Sequence, residues 1–205
     1  MNIRNFIPVA ILAAAVSLGS DTSARAGFLD VITSPKTLFD RAIEARSTSD
    51  IVKDNKIIIA VNAIMAKLGT IKASTEIYEQ RLLITGLFDD KKLYDDFFSK
   101  VKKVKYVKKL YWHVRYMSEA EQDKRKKAGK MIGWGDALVL DTKVGLSLVG
   151  ERGVADVNYR VAADAFSHVY IIGRARSGEE LKKALTAARG VKTVKKIVNY
   201  VEVRP

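Results

Sequence analysis

The chain has 205 residues, with 36 Lys and Arg against 23 Asp and Glu, two histidines and no cysteine. That length holds one ordinary domain or two small ones, and the absence of cysteine excludes disulfides, thiolate metal sites and thiol nucleophiles. His113 and His168 lie far apart and give no imidazole cluster for a metal, while the net charge of +13 points to anionic partners.

Phe6 to Leu18 is an apolar run of 13 residues, preceded by Arg4 and followed by Ala24-Arg25-Ala26. This is the pattern of a secretory signal with a small-residue cleavage site before Gly27, and the run is shorter than the ~20 residues a membrane span needs. Residues 1–26 are therefore expected to be removed, against the competing reading of an uncleaved anchor. No cysteine follows the run, so an acylated lipoprotein N-terminus is excluded. Removal takes Arg4, Arg25 and Asp21 with it, leaving 13 − 1 = +12.

Residues 27–46 read as an N-terminal extension. Ser34-Pro35 opens a helix whose Leu38, Phe39, Ala42 and Ile43 form one apolar stripe. Phe28, Leu29, Val31 and Ile32 could touch a membrane, or lie on the body of the protein. Ser47 to Asp50 supplies capping residues for a helix to Leu68, with Ile57, Val61, Ile64 and Leu68 on its buried face and Gly69 at its end. Strands follow at Ala73–Tyr78 and Leu82–Gly86. A helix capped by Asp89 or Asp90 comes next, burying Leu93, Tyr94, Phe97, Phe98 and Val101. From Val104 to Tyr116 apolar residues alternate with Lys105, Lys109, His113 and Arg115, as in a strand with one buried face, although Lys108 breaks the pattern.

Residues 118–135 are polar and read as a linker or surface helix; Gly133-Trp134-Gly135 closes them. These glycines match no phosphate-binding motif. Trp134 reads as an aromatic packed between domains or, alternatively, as a membrane or partner anchor. A second series then follows: helix from about Asp136 to Val149, strands near Val157–Ala163 and Val169–Gly173, helix from Ser177 to Arg189, strand from Val191 to Val203. Ser177-x-x-Glu180 has the spacing of a capping box.

The two series are one pattern used twice. Val104-Lys105-Tyr106-Val107-Lys108-Lys109 returns as Val191-Lys192-Thr193-Val194-Lys195-Lys196, a shift of 191 − 104 = 87. In the same register Asp54-x-Lys56-Ile57 falls on Asp141-x-Lys143-Val144, and Leu83-Ile84-Thr85-Gly86 on Tyr170-Ile171-Ile172-Gly173. An internal duplication follows: residues 47–117 and 136–205 as two domains of α+β class. Each is expected to be an α-β-β-α-β unit in which a small three-stranded sheet packs against two helices.

An apolar strand ending in glycine, a polar cap, a helix and then Arg189-Gly190-Val191-Lys192-Thr193-Val194 resembles the BON domain of bacterial osmotic-stress and outer-membrane maintenance proteins. The resemblance covers about 51–116 and 136–203. It departs from the family at Lys102-Lys103, where a glycine is usual, and at the two hairpins, Glu79-Gln80 and Phe166-Ser167, which lack the customary glycine. It implies a tandem-BON, non-enzymatic envelope protein supporting envelope integrity or stress tolerance. Such a protein would be periplasmic, peripheral to the outer membrane rather than spanning it, and associated with anionic phospholipid or with envelope proteins.

Charge supports this independently. Residues 89–130 carry 14 Lys and Arg against 7 Asp and Glu, a net of 14 − 7 = +7. Basic residues near an anionic leaflet add about 1 kcal/mol each within a Debye length. The candidate membrane or partner surface is Lys102, Lys103, Lys105, Lys109, Tyr111, Arg115 and Trp134. A docking module using an exposed sheet face or edge is the second reading. Nucleic-acid binding through a basic, aromatic-bearing strand is the third, and a signal peptide argues against it. No cofactor, metal or catalytic residue is expected: Asp54 and Asp141 read as helix-terminal or surface ion-pair charges beside Lys56 and Lys143, Asp95-Asp96 lacks a partner, and nothing near Ser167-His168 orients the imidazole.

Overall fold

The computed structural model describes residues 44–70 and 72–205; the expected signal segment, and the extension up to residue 43, lie outside them. The described residues belong to one compact unit. Within that unit the class is mixed α/β, with five helices and two three-stranded sheets.

Helix α1 is Thr48–Leu68. Ser47 caps it by accepting the Asp50 amide at 3.1 Å, and Gly69 ends it at φ 65°, a left-handed position glycine takes without a Cβ penalty. Strands β1 (Ala73–Tyr78) and β2 (Arg81–Phe88) form a hairpin. Helix α2 (Lys91–Val101), capped by Asp90, crosses to β3 (Lys109–Tyr116), which lies parallel to β2. Helix α3 (Glu119–Lys127) connects the two halves and buries none of its residues. Helix α4 (Trp134–Val149) and the hairpin β4 (Tyr159–Ala163) and β5 (His168–Ala175) then follow, with helix α5 (Gly178–Arg189) crossing to β6 (Lys196–Val203), parallel to β5. Strands β2 and β5, and β3 and β6, have the same bounds 87 residues apart.

Alternation along these strands serves two cores. Leu82, Ile84 and Phe88 of β2 face α1 and α2, joining Ile57, Val61, Phe97 and Val101. Tyr78 and Leu83 face the other way, into Ala162, Tyr170 and Ile172 of the second sheet. The second sheet repeats this, with Val169 and Ile171 packed on Leu140, Val144 and Leu148 of α4. The order of layers is helices, sheet, sheet, helices. Among the described residues, each sheet packs one face on its helices and the other on the second sheet.

The closing strands begin later than their sequence suggests, at Lys109 and Lys196 instead of Val104 and Val191. After α2 the chain must turn before it can run parallel to β2. Val104 donates to the Val101 carbonyl at 3.0 Å and Lys108 to that of Gln80 at 2.9 Å. Val104 and Val107 plug the helix-side core across this turn, as Val191 and Val194 do in the second half. Tyr106, expected on a buried face, is 58% exposed and has φ 72°.

Two other local expectations change. Ser177 caps α5 by accepting the Glu180 amide at 3.1 Å, but the Glu180 carboxylate does not complete a capping box. It accepts instead from the Ala155 amide at 2.9 Å and from Arg176 Nε at 2.8 Å. Asp54 is 1% exposed, not a surface charge. Its carboxylate accepts the Glu79 and Gln80 amides at 2.9 and 2.7 Å and a hydrogen bond from Arg46 at 3.0 Å.

That contact explains a glycine-free hairpin. Glu79 and Gln80 both have positive φ, 52° and 63°, the two-residue geometry that ordinarily selects Asn-Gly. A buried carboxylate holding both amides replaces the conformational preference the sequence lacks. In the second half Asp164 does this from within the loop, accepting the Phe166 and His168 amides at 2.8 and 3.0 Å. Asp141, the counterpart of Asp54, is pushed up to about 7 by burial.

Candidate functional site

Five lysines converge on a groove beside the turn after α2. Lys56 and Lys67 come from α1, Lys100 from the last turn of α2, and Lys103 and Lys105 from the turn. Ala60, Ala63 and Ile64 of α1, with Val104, make the floor, and among the described residues no Asp or Glu lines it. Its volume is about 390 Å³ and it opens to solvent. Lys100 lies 4.0 Å from Asp96, but both side chains are half exposed, so solvent screening leaves the local charge positive. Tyr106 stands on the rim. Within this turn its φ is near 72°, a conformation that costs a non-glycine residue of order 1–3 kcal/mol.

The sequence-derived candidates are divided by the fold. Lys103 and Lys105 enter the groove. Lys102 lies 5.1 Å from the Phe98 ring instead. Lys109 sits over Tyr111 at 5.0 Å and shares a different depression with Asp50, Glu79 and Glu202, where charges are mixed. Tyr111, expected beside the lysines on a solvent row, stacks on Tyr200 of the second sheet at 3.9 Å between ring centroids. Arg115 covers the Phe166 ring at 4.6 Å. Trp134 begins α4 and packs with Leu87, Met117, Met131 and Phe166, residues of both halves and their connection. The basic strand is therefore no single surface. Lys56 and Lys67 were missed because α1 lies some forty residues from the turn in sequence; the i, i+4, i+7, i+11 spacing of Lys56, Ala60, Ala63 and Lys67 is the signal that could have found them. Lys100 was missed although it stands only three residues before Lys103, because it belongs to the last turn of α2 and not to the strand the motif suggested.

His113 and His168 are both ordered by neighbours. His113 stacks on Tyr170 at 4.0 Å and shares a 2.9 Å hydrogen bond with the Tyr200 hydroxyl. The His168 Nδ1 lies 3.2 Å from Asp164, so an orienting carboxylate is present after all. Burial depresses the His113 pKa; Arg115, His168 and Lys196 act in the same direction and Asp164 opposes them. A depressed histidine binds fewer protons folded than unfolded, so its contribution to stability is complete above the unfolded value of about 6.5 and is lost as pH falls below it. Replacing His113 with Gln should flatten the loss of urea stability between about pH 7.5 and about pH 5.5. An unchanged slope would exclude His113 as its source.

Among the described residues, no three His, Cys, Asp or Glu side chains form a group that could hold a metal, and no helix is long and apolar enough to cross a membrane.

The fold and groove thus define a mixed α/β protein with a lysine-lined groove on its first half. Comparison with family models finds none that matches the chain. A protein of Anaplasma centrale, named "Uncharacterized protein in gshII 5'region", is 27% identical over 156 residues, which cover 75% of this chain and 96% of that protein. Among solved structures, CdsD, a structural protein of the Type III secretion system of Chlamydia trachomatis, superposes with a TM-score of 0.29 and 9% identity over 73% of this chain and 92% of that one. A second structure, of the CdsD C-terminal domain, gives 0.29 and 11% over 73% and 97%. Likeness at that level fixes neither fold nor role.

Proposed function

We propose that this chain is a tandem BON-type protein without catalytic activity, exported to the envelope and held reversibly on anionic phospholipid surfaces by the groove of its first half. One observation carries this reading: five lysines from α1, α2 and the turn after α2 line one groove, with no acidic residue among its described lining residues. The 87-residue recurrence of strand bounds supports the tandem assignment. Exposed Ile59, three residues from Lys56 on α1, adds apolar surface beside the charges.

The expected result is flotation of the exported form with vesicles containing anionic phospholipid, weakening as salt rises, and no flotation with zwitterionic vesicles. Replacing Lys67, Lys103 and Lys105 together with Ala should remove about 3 kcal/mol of attraction, or about a hundredfold in partitioning. Replacing Lys102, Lys109 and Arg115, which removes the same charge elsewhere, should cost much less. Equal losses in the two triple variants would mean that net charge, and not the groove, is responsible. Flotation indifferent to lipid charge would sink the membrane reading.

A further inference from the structure

A basic patch that only attracts a leaflet needs no concavity, no apolar floor and no aromatic rim. This groove has all three. Lys56, Ala60, Ala63 and Lys67 lie on one stripe of α1, so two lysines stand at the ends of a two-alanine floor, about 16 Å apart along the helix axis. Small side chains keep that floor low, and Val104 and Ile64 continue it as apolar surface. Its volume of about 390 Å³ falls within the range of small-molecule sites, roughly 300–1,000 Å³.

The second half shows that the fold does not require three of these lysines or Tyr106. At the shift of 87, Lys56 and Lys105 have lysine counterparts, Lys143 and Lys192. Lys67, Lys100 and Lys103 correspond instead to Val154, Ala187 and Gly190, Tyr106 corresponds to Thr193, and an acidic residue, Glu151, takes the place of Ile64. Helix α5 and the turn after it form nonetheless. Stabilising the helix ends is therefore not a sufficient reason for the lysines of the first half.

We infer that the groove seats one anionic single-chain amphiphile, its alkyl chain along Ala60, Ala63, Ile64 and Val104 and its phosphate on the lysine rim. This rests on the lipid-facing reading of the groove and deepens it, from diffuse attraction to a stoichiometric site. Tyr106 then closes the rim over the first methylenes, which accounts for a large exposed ring held at a positive φ.

Calorimetric titration of the full exported chain with dodecyl phosphate, kept below its micelle-forming concentration, tests this. Saturable binding at one per chain is expected, at least tenfold tighter than inorganic phosphate or dodecyl maltoside, since each control supplies only one half of the recognition. Ala63→Trp fills the floor from an exposed helix position and should weaken dodecyl phosphate at least tenfold, with its thermal melt showing that the chain still folds. Ala63→Ser, which keeps the floor low, should bind as the parent does. Absence of saturable binding, many ligands per chain, or undiminished binding by folded Ala63→Trp would each overturn the inference. Vesicle flotation of the parent protein separates the two claims: flotation without monomer binding leaves surface attraction standing and removes the site, whereas monomer binding without flotation supports the site and removes the membrane role.

Discussion

Replacing Asp54 with Ala is expected to lower unfolding stability by about 4 kcal/mol, a fall of roughly 10 °C in Tm for a unit of this size. The carboxylate is the acceptor for two amides of a turn and for Arg46, all within a buried region. Its loss leaves donors unsatisfied at about 1–3 kcal/mol each and leaves the Arg46 guanidinium, itself only 9% exposed, with Glu44 as its one remaining carboxylate partner among the described residues. The turn would also have to hold two positive φ values without support. A second substitution separates these contributions: Glu79→Asn with Gln80→Gly supplies the residues such a turn prefers. In the Asp54→Ala background the pair should restore about 1 kcal/mol, and in the parent it should do less. Were Asp54 a solvated surface charge, the single substitution would cost under about 0.5 kcal/mol. Denaturant midpoints decide between these.

That contrast shows where the sequence could be read and where it could not. Local chemistry was legible: Ser47 and Gly69 bound α1, Asp90 and Ser177 cap the crossover helices, and β1 spans the expected residues. Each of these depends on groups within a few residues of one another. Asp54 is different, because its acceptor role is set by amides 25 and 26 residues away, and a helix carboxylate next to a lysine looks the same whichever way it turns.

Pairing of the two sheets was hidden for a related reason. Tyr111, His113 and Tyr200 bear polar atoms and interrupt lysine-rich stretches, so period-two reading assigned the first two to solvent. They are interfacial residues instead, rings that stack across the junction, with the His113 imidazole hydrogen-bonded to the Tyr200 hydroxyl. The motif Val-Lys-x-Val was misread through its spacing. Valines three apart fit a turn that returns to the core twice, and a strand would have required an even separation. The groove itself comes from this correction, because only a turn brings Lys103 and Lys105 beside α1.

The recurring glycine of the duplicated motif leads to the other large effect. Gly86 and Gly173 occupy equivalent positions in β2 and β5, each opposite the first residue of its edge strand, Ala73 or Tyr159. A Cβ on Gly173 would lie 2.0 Å from the Asn158 carbonyl oxygen and 3.0 Å from the Tyr159 Cα; on Gly86 it would lie 2.7 Å from the Lys72 carbonyl oxygen. Those obstacles are backbone, and no rotamer change can relieve them, so the edge strand itself must shift. Gly173→Ala is expected to cost about 4 kcal/mol or more, beyond the usual 1–3 kcal/mol of overpacking, because φ there is +155° as well. Gly86→Ala, with a longer approach, should cost about 2–3 kcal/mol. Gly145 in α4 provides the control: beyond its chain neighbours and its own helix backbone, no described atom lies within 4 Å of its added Cβ, and Gly145→Ala should stabilise the helix by about 0.5–1 kcal/mol. Urea unfolding of the three variants therefore ranks them by distance to backbone. If Gly173→Ala were tolerated as well as Gly145→Ala, the edge strand would not lie as close to β5 as it does here, and the glycine recurring at an interval of 87 would need a reason other than close approach.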